Sequence, residues 1–263
     1  MSRRQLTFAC MGARLVGTFD EAPETTGLLI VGGGNETRAG AFSGQAKLAA
    51  AIALAGHPVF RFDRRGVGDS EGGNSGFRGS AADIAAAMAA FLTEAPRLER
   101  IVGFGNCDAA SALMLLGGAG MNGLVLANPW TVEGHDAAPP PDAIRARYRE
   151  KLRNPKEWLR LFGGQVSLGK LASGLLSAVS PTPPPTSLAR EMAAGLARFE
   201  GPVTILLADR DRTAQLFDSA WDKADPRITR CPDATHAFAE PHARHWLSER
   251  LLDALQAARV SQA

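Results

Sequence analysis

Short apolar runs alternate with helical segments along this chain, and no other feature of the sequence limits its fold as strongly. The apolar runs cover residues 26–31, 58–63, 100–105, 123–127, 202–207 and 227–231. Continuous apolar runs are typical of strands that are covered on both faces, and helices between such strands favour right-handed crossovers. We therefore expect the α/β class, with a mostly parallel central sheet flanked by helices.

The segments around these runs complete the expected core. Residues 5–20 contain two strand-like runs and predict an antiparallel hairpin in front of the parallel strands. Helices are expected over residues 44–55 and 81–93, with Ser80 as a candidate N-cap of the second.

Residues 130–200 break the alternation and contain two proline-rich stretches. We expect a helical cap there, inserted after the sixth strand, and a core formed by residues 1–129 and 201–263. A chain of 263 residues with 45% hydrophobic side chains can bury one large core of this kind.

Composition excludes several functional classes. The 29 Lys and Arg residues nearly balance the 27 Asp and Glu residues, so the chain lacks the positive field of nucleic-acid-binding proteins. The three cysteines, Cys10, Cys107 and Cys231, show neither C-x-x-C nor metal-ligand spacing, which favours a reducing compartment and no bound metal. No run approaches the roughly 18 apolar residues of a membrane span. We expect a soluble, cytoplasmic protein without a cofactor, a nucleic-acid partner or a transmembrane segment.

Residues 100–111 contain the strongest candidate for a catalytic site. An apolar strand ends at small residues around Cys107, and an alanine-rich helical segment follows at once. This is the pattern of a nucleophile elbow, G-x-S-x-G, with cysteine in place of serine and Ala109 in place of the second glycine. Unpaired amide groups at the start of the helix favour both a thiolate and an oxyanion. The alternative is that Cys107 is a small buried hydrophobic residue, as many free cysteines are.

A cysteine nucleophile needs a base, and the base needs a group that orients it. Asp209 and Asp211 follow one apolar strand, and His236 follows the next. We prefer Asp211 as the orienting acid because it lies deeper in its loop, and Asp209 is the alternative. The remaining histidines are His57 before a strand, His135 at the cap entrance, and His242 and His245 in the last helix. The expected catalytic residues are therefore Cys107, Asp211 and His236.

An oxyanion hole is expected beside the nucleophile. Its donors would be the backbone N–H of Asp108 and an N–H from the glycine turn after the first parallel strand, where Gly34 is preferred and Asn35 is the alternative. These glycines do not form a phosphate-binding loop, because no G-x-x-x-x-G-K-[ST] motif occurs, and Gly66-Val67-Gly68 lacks the third glycine of a dinucleotide fingerprint. The sequence therefore does not support nucleotide binding.

Four segments together resemble the α/β hydrolases, and more narrowly the exosortase A system-associated hydrolases. They are Ile30-Val31-Gly32-Gly33 with Arg38 and Gly40 beyond it, residues 60–72, residues 105–111 and residues 211–214. The resemblance spans most of residues 5–250 outside the cap, and it shares the chain order nucleophile, acid, histidine. It implies the α/β-hydrolase fold and a carboxylic ester or thioester hydrolase found alongside bacterial exopolysaccharide and protein-sorting systems. Dienelactone hydrolases, which share this fold, also carry a cysteine at the elbow.

The chain departs from the general hydrolase pattern in three respects. It lacks the usual His-Gly pair before the oxyanion turn, it has Ala109 in the elbow, and it places Asp108 directly after the nucleophile. A carboxylate beside a thiol opposes thiolate formation unless its side chain points away.

The expected chemistry is acyl transfer on a small-molecule or carrier-linked acyl substrate. Cys107 would attack a carbonyl, His236 would take and return the proton, and Asp211 would fix the imidazole. Two alternatives stay open: a non-catalytic scaffold or carrier-binding protein of the same fold, and a lactone or dienelactone-type hydrolase.

The cap segment suggests where a partner could bind. Its predicted helix carries Arg145, Arg147, Arg149, Lys151, Arg153, Lys156 and Arg160. They form either a solvated face or a basic rim for an anionic carrier, a sugar chain or a lipid surface. Peripheral membrane contact is therefore one expectation, and the sequence predicts no oligomeric state.

Overall fold

The computed structural model describes residues 2–132 and 186–260. In this part of the chain eight strands form one sheet, in the spatial order β1-β2-β4-β3-β5-β6-β7-β8. The strands are β1 (Arg3–Cys10), β2 (Ala13–Asp20), β3 (Thr26–Val31), β4 (Val59–Phe62), β5 (Arg100–Asn106), β6 (Gly123–Ala127), β7 (Val203–Ala208) and β8 (Ile228–Cys231). The α-helices are α1 (Gly44–Leu54), α2 (Ala81–Glu94), α3 (Asp108–Leu115), α4 (Ser187–Leu196), α5 (Arg212–Ala220) and α6 (Pro241–Val260).

The sheet is antiparallel at one edge and parallel elsewhere. Strand β2 pairs antiparallel with both β1 and β4, whereas all other neighbouring strands pair in parallel. The expected hairpin and the mostly parallel sheet are therefore confirmed. Because parallel strands place their carboxyl ends at one edge of a sheet, the turns after β3, β4, β5, β7 and β8 meet there.

Helices cover both faces of the sheet and hold these turns in place. On one face, α2, α3 and α4 pack around a core that includes Phe60 and Phe91, whose rings stack with centroids 5.6 Å apart. On the other face, α1 and α6 pack around Leu28, Phe104 and Leu251. Burying one such side chain stabilises the fold by about 1.5–3 kcal/mol. The two helical layers together therefore hold the carboxyl ends of the strands in fixed positions.

Two expectations need correction. Ser80 does not cap α2, because its hydroxyl donates to the Phe77 carbonyl at 2.6 Å and makes no capping bond. The predicted insertion over residues 130–200 also includes part of the core, because α4 packs against α3 and buries Leu188 in the same cluster as α2. Residues 133–185, which contain most of the expected cap and the seven basic residues named for its helix, lie outside the described residues. No helix in the described ranges is both long and apolar enough to cross a membrane.

Candidate active site

Cys107 lies in a sharp turn between β5 and α3. Its φ of 62° is rare for a residue with a side chain, and a Cβ on Gly105 would lie 2.7 Å from the backbone of Ala109. Glycine at position 105 therefore lets the helix start this close to the strand. Cys107 is partly exposed, whereas Cys10 and Cys231 are buried. The turn has the shape of a nucleophile elbow and presents the most accessible thiol of the chain.

His236 lies between Asp211 and Cys107. Its Nδ1 is 2.9 Å from Asp211 Oδ2, and the Cys107 side chain is close enough to raise the pKa of the imidazole. Asp211 is only 7% exposed, and the same Oδ2 accepts the Ala214 N–H at 3.1 Å, so this carboxylate is also the N-cap of α5. Asp209, the alternative acid, is exposed in the same turn, and the imidazole bonds to Asp211 instead. The structure thus brings His236 into contact with Asp211 and places Cys107 beside the imidazole.

These two neighbours change the protonation of His236. Hydrogen bonding to Asp211 contributes most and the interaction with Cys107 adds to it, so the pKa of His236 rises from 6.5 to about 10 although burial opposes the change. An imidazole with this pKa is protonated at neutral pH.

The stability contributed by His236 should depend on pH. Its pKa is about 10 in the folded protein against the ordinary 6.5. Because the pKa is raised by folding, the contribution is complete below the ordinary pKa and is lost as the pH rises through the folded value. We expect His236→Gln to lower the urea midpoint of unfolding at about pH 6 and to change it little at about pH 10.5. The pH-dependent part should be small, because the side chain is 40% exposed.

The matched control for this measurement is His245→Gln, which removes a histidine on α6 whose side chain is 78% exposed. An equal loss in His236→Gln at both pH values would contradict the expected dependence.

A buried amide network joins the loops that carry the site. Asn128, which follows β6, is fully buried, and its Nδ2 lies 3.0 Å from Asn106 Oδ1 and 3.2 Å from the His236 carbonyl. Its Oδ1 accepts the Ala208 N–H at 2.8 Å. Asn106 in turn donates to the His236 carbonyl at 3.0 Å. Asn128 therefore holds the histidine loop against the elbow and β7.

Sequence reasoning assigned no role to Asn128. The available signal was a polar side chain placed directly after an apolar strand at the carboxyl edge of the sheet. Because any of several neighbouring loops could have supplied its partners, that signal does not identify the histidine loop.

Replacing Asn128 by alanine should both destabilise the fold and misplace His236. The change leaves the buried Ala208 N–H without its acceptor, and we expect a loss of about 2–4 kcal/mol in the free energy of unfolding. The position of the His236 loop would loosen as well, so the rate of thiol modification at Cys107 should change. The comparison is Asn122→Ala, which removes an amide whose Oδ1 accepts the Ile101 N–H at 2.8 Å, away from the site. If the rate of thiol modification at Cys107 were the same in Asn128→Ala and Asn122→Ala, Asn128 would be a structural residue without a positioning role.

The glycine turn after β3, which is expected to supply an oxyanion donor, is hydrogen-bonded to a side chain of the elbow. The Gly34 N–H donates to Asp108 Oδ1 at 2.7 Å, and a Cβ on Gly33 would lie 2.6 Å from the Asn106 carbonyl oxygen. The turn therefore packs directly on the elbow, as the expected oxyanion hole requires. In this conformation the Gly34 amide already binds a carboxylate, so it can serve a substrate oxygen only after the Asp108 side chain has moved.

The other three histidines in the described ranges make their polar contacts outside this cluster. His57 bonds to a β3 carbonyl, and His242 and His245 lie on α6. His135 lies outside the described residues. Within the ranges that the structure describes, no group of three or more His, Cys, Asp or Glu side chains is placed to hold a metal ion.

Comparisons with known proteins agree with this arrangement at the level of the fold. Residues 28–250 match the alpha/beta hydrolase family. The Pyrococcus furiosus esterase Pf2001 superposes with a TM-score of 0.62 at 16% identity, covering 97% of this chain and 90% of that one. The alpha/beta hydrolase GrgF from Penicillium sp. sh18 gives a TM-score of 0.63 at 14% identity, with 97% and 98% covered. XC6422 from Xanthomonas campestris, a serine hydrolase without a lid, gives 0.54 at 16% identity, with 98% and 94% covered. No curated protein matches the sequence.

Proposed function

Because this chain belongs to the alpha/beta hydrolase family, we propose that it cleaves a carboxylic ester or thioester with Cys107 as nucleophile, His236 as acid and base, and Asp211 as the orienting acid. One observation carries the proposal: the His236 imidazole, which neighbours the Cys107 side chain, is 2.9 Å from the Asp211 carboxylate. The family and the eight-stranded sheet support a hydrolase that acts on ester bonds. The partly exposed thiol at the elbow supports cysteine as the nucleophile.

The first half-reaction forms an acyl-enzyme. The Cys107 thiolate attacks the carbonyl carbon, a carbon–sulfur bond forms, and the π electrons move onto the carbonyl oxygen. When this oxyanion collapses, the bond to the alcohol or thiol leaving group breaks and the protonated His236 gives its proton to that group. Asp211 keeps the imidazole aligned throughout. The products are the free alcohol or thiol, the acyl group on Cys107 and a neutral imidazole.

The second half-reaction restores the enzyme. The neutral His236 removes a proton from water as the water oxygen attacks the acyl carbon. Collapse of the second oxyanion breaks the carbon–sulfur bond and releases the carboxylic acid. The thiolate of Cys107 and the protonated imidazole are then as they were at the start.

Both half-reactions need donors for the oxyanion. The N–H of Asp108 lies in the first turn of α3, where the helix dipole also favours negative charge. The Gly34 N–H becomes the second donor when the Asp108 carboxylate leaves it. While the Asp108 carboxylate is bound to the Gly34 N–H, it competes with the substrate oxyanion for this donor.

Replacing Asp108 by alanine should therefore raise activity towards neutral substrates. The change frees the Gly34 amide and removes a negative charge beside the developing oxyanion, so we expect kcat/KM for a neutral acyl thioester to rise by about tenfold. The comparison variant is Asp108→Asn, which removes the charge but keeps an acceptor for the Gly34 N–H. If kcat/KM rises in both variants, the negative charge of Asp108 is the obstacle. If it rises in Asp108→Ala alone, the obstacle is the acceptor that occupies the Gly34 N–H. A loss of activity in both would contradict the competing role of Asp108.

The narrower assignment, to the exosortase A system-associated hydrolases, is part of this proposal. It is supported by the sequences of residues 105–111 and 211–214, and a carrier-linked acyl substrate goes with it. Because Asp108 occupies the Gly34 N–H, a second candidate function is a non-catalytic protein of the same fold that binds a carrier. A lactone hydrolase would use the same three side chains.

A trapping experiment separates these functions. The wild-type protein is mixed with acyl thioesters, p-nitrophenyl esters and lactones, quenched in acid, digested and analysed by mass spectrometry. An acyl group on the Cys107 peptide during turnover supports the proposal, and a preference for lactones among the substrates selects that variant of it. Turnover without an acyl group on Cys107 would contradict the cysteine mechanism, and the absence of both would favour the carrier-binding protein.

A further inference from the structure

A cavity lies between α1 and α6, behind the loops that carry the candidate active site. Its volume is about 250 Å³, and it is partly open to solvent. The floor is apolar and consists of Leu48, Phe104, Phe238 and Leu247, each of which is at most 9% exposed. Binding sites for small molecules are concave, mostly apolar and about 300–1,000 Å³ in volume. This cavity therefore has the lining of such a site and suits a small ligand.

Phe42 lies at the mouth of the cavity in a strained backbone. The residue lines the cavity and yet is 82% exposed. Phe42 and Ser43 have φ values of 53° and 57°, and Phe238 on the floor has a φ of 48°. Residues with side chains rarely adopt such values, and backbone strain is concentrated at functional sites and ligand-binding sites. A ligand with an apolar chain would cover the exposed ring, which gives the strain and the exposure one explanation.

The rim of the cavity has more positive than negative side chains. Lys47 and Arg244 line the rim with exposed side chains, and neither forms an ion pair with a carboxylate in residues 2–132 and 186–260. Glu36 is the one acid among the described residues of the lining, and Gln45 Nε2 donates to it at 3.2 Å. His245 also lines the rim and pairs with an acid one turn further along α6. The two basic side chains would therefore attract an anionic group on the ligand.

The inner wall of the cavity belongs to the loops of the candidate active site. Asn106 directly precedes Cys107, Ala237 directly follows His236, and both Asn106 and Ala237 line the cavity. Asn106 also donates to the His236 carbonyl at 3.0 Å. Cys107 and His236 themselves do not line it. A ligand in the cavity would thus contact backbone next to both residues without occupying the place of the acyl group.

We propose that this cavity is a second binding site, separate from the thiol, for a carboxylic acid with an apolar chain. The chain would lie on the apolar floor and against Phe42, and the carboxylate would lie at the rim with Lys47 and Arg244. A water-sized group takes about 30 Å³, so the cavity has room for about eight such groups and suits a chain of medium length. The inference goes beyond the proposed function, because binding at this site requires no turnover at Cys107.

The first test compares octanoate with 1-octanol, which has the same chain and no charge. Cys107 is first alkylated with iodoacetamide, so that the active site is blocked, and binding to the full chain is measured by isothermal titration calorimetry. We expect saturable binding of both ligands, with octanoate bound more tightly by about five- to tenfold, the effect of two exposed charge pairs. In the double variant Lys47→Met and Arg244→Met this difference should disappear, while the affinity for octanol stays the same. Arg97→Met, which removes an exposed arginine at the opposite edge of the sheet, is the matched control.

The second test fills the cavity from an exposed position. Ala51 lies on α1, is exposed and lines the cavity, so Ala51→Trp places a large ring in the mouth without disturbing the core. We expect the affinity for octanoate and for octanol to fall by at least about tenfold. Leu54→Trp is the matched control, because Leu54 is 76% exposed on the same helix and lies outside the lining. It should leave both affinities unchanged.

The outcomes of these tests are distinct from those that concern the hydrolase. Absence of binding by either ligand would overturn the site, and equal affinity for octanoate and octanol in the wild type would overturn its assignment to carboxylic acids. Binding that persists in Ala51→Trp would place the ligand elsewhere and also overturn the inference. Thioester hydrolysis without octanoate binding would leave the proposed function standing, and octanoate binding without hydrolysis would leave this site standing.

Discussion

Replacing Cys107 by alanine should lower kcat/KM for an acyl thioester by about 10⁴-fold, the largest effect that we expect for any single substitution in this protein. The change removes the atom that forms the bond to the acyl group and leaves His236 and Asp211 in place. The loss should appear mainly in kcat, because the thiolate acts in the transition state rather than in substrate binding. Steady-state kinetics with the best thioester of the panel measures it. Melting temperature should change little, since Cys107 is partly exposed.

The two control variants for Cys107 have different purposes. Cys231→Ala removes a buried cysteine outside the site and should keep the wild-type rate, although it can cost stability. Cys107→Ser keeps a nucleophile but needs a neutral imidazole to remove the hydroxyl proton, whereas hydrogen bonding holds the pKa of His236 at about 10 in the wild type. The serine variant should therefore be weak at neutral pH and gain activity as the pH rises. Undiminished turnover in Cys107→Ala would end the case for a cysteine nucleophile.

Replacing Asp211 by asparagine should lower kcat by about 10³- to 10⁴-fold while the fold persists. The asparagine carbonyl can still accept the Ala214 N–H and start α5, so the local backbone should be preserved. The same Oδ2 also meets His236 Nδ1, so an asparagine oxygen in that place keeps both contacts and removes only the negative charge that favours a protonated imidazole. A His236 that is neutral at the working pH cannot give a proton to the leaving group.

The same substitution has a spectroscopic consequence. The bond to Asp211 is the largest cause of the raised pKa of His236, so the imidazole should titrate at lower pH in Asp211→Asn. Titration of the His236 ring by NMR checks this directly. Asp209→Asn is the matched control, because it neutralises the exposed acid of the same turn. Equal losses of kcat in the two variants would show that the charge of the turn matters and not the contact with the imidazole.

Much of the fold and of the candidate site could be predicted from residue order. Apolar runs followed by small or polar residues are local features, and parallel pairing then brings the ends of the strands that precede Cys107, Asp211 and His236 to one edge of the sheet. The choice between Asp209 and Asp211 could only be argued, because it depends on which carboxylate turns inward. The structure has Asp211 both beginning α5 and meeting the imidazole.

Other features depend on side-chain contacts between distant segments. The Gly34–Asp108 hydrogen bond joins residues 74 positions apart, and it depends on one rotamer of Asp108. The serine at position 80 shows the opposite case, in which a local preference for capping loses to a carbonyl within reach of the hydroxyl.

The backbone of the elbow, with its positive φ at Cys107, has a consequence for how this chemistry can change over evolution. The turn is imposed by the close packing of Gly105 on α3 and not by the sulfur, so serine and cysteine, which each carry one heavy atom on Cβ, meet the same backbone constraint there. A cysteine codon becomes a serine codon by a single base change. The elbow can therefore exchange cysteine for serine without refolding. Adaptation to the new nucleophile must then act on the proton affinity of His236.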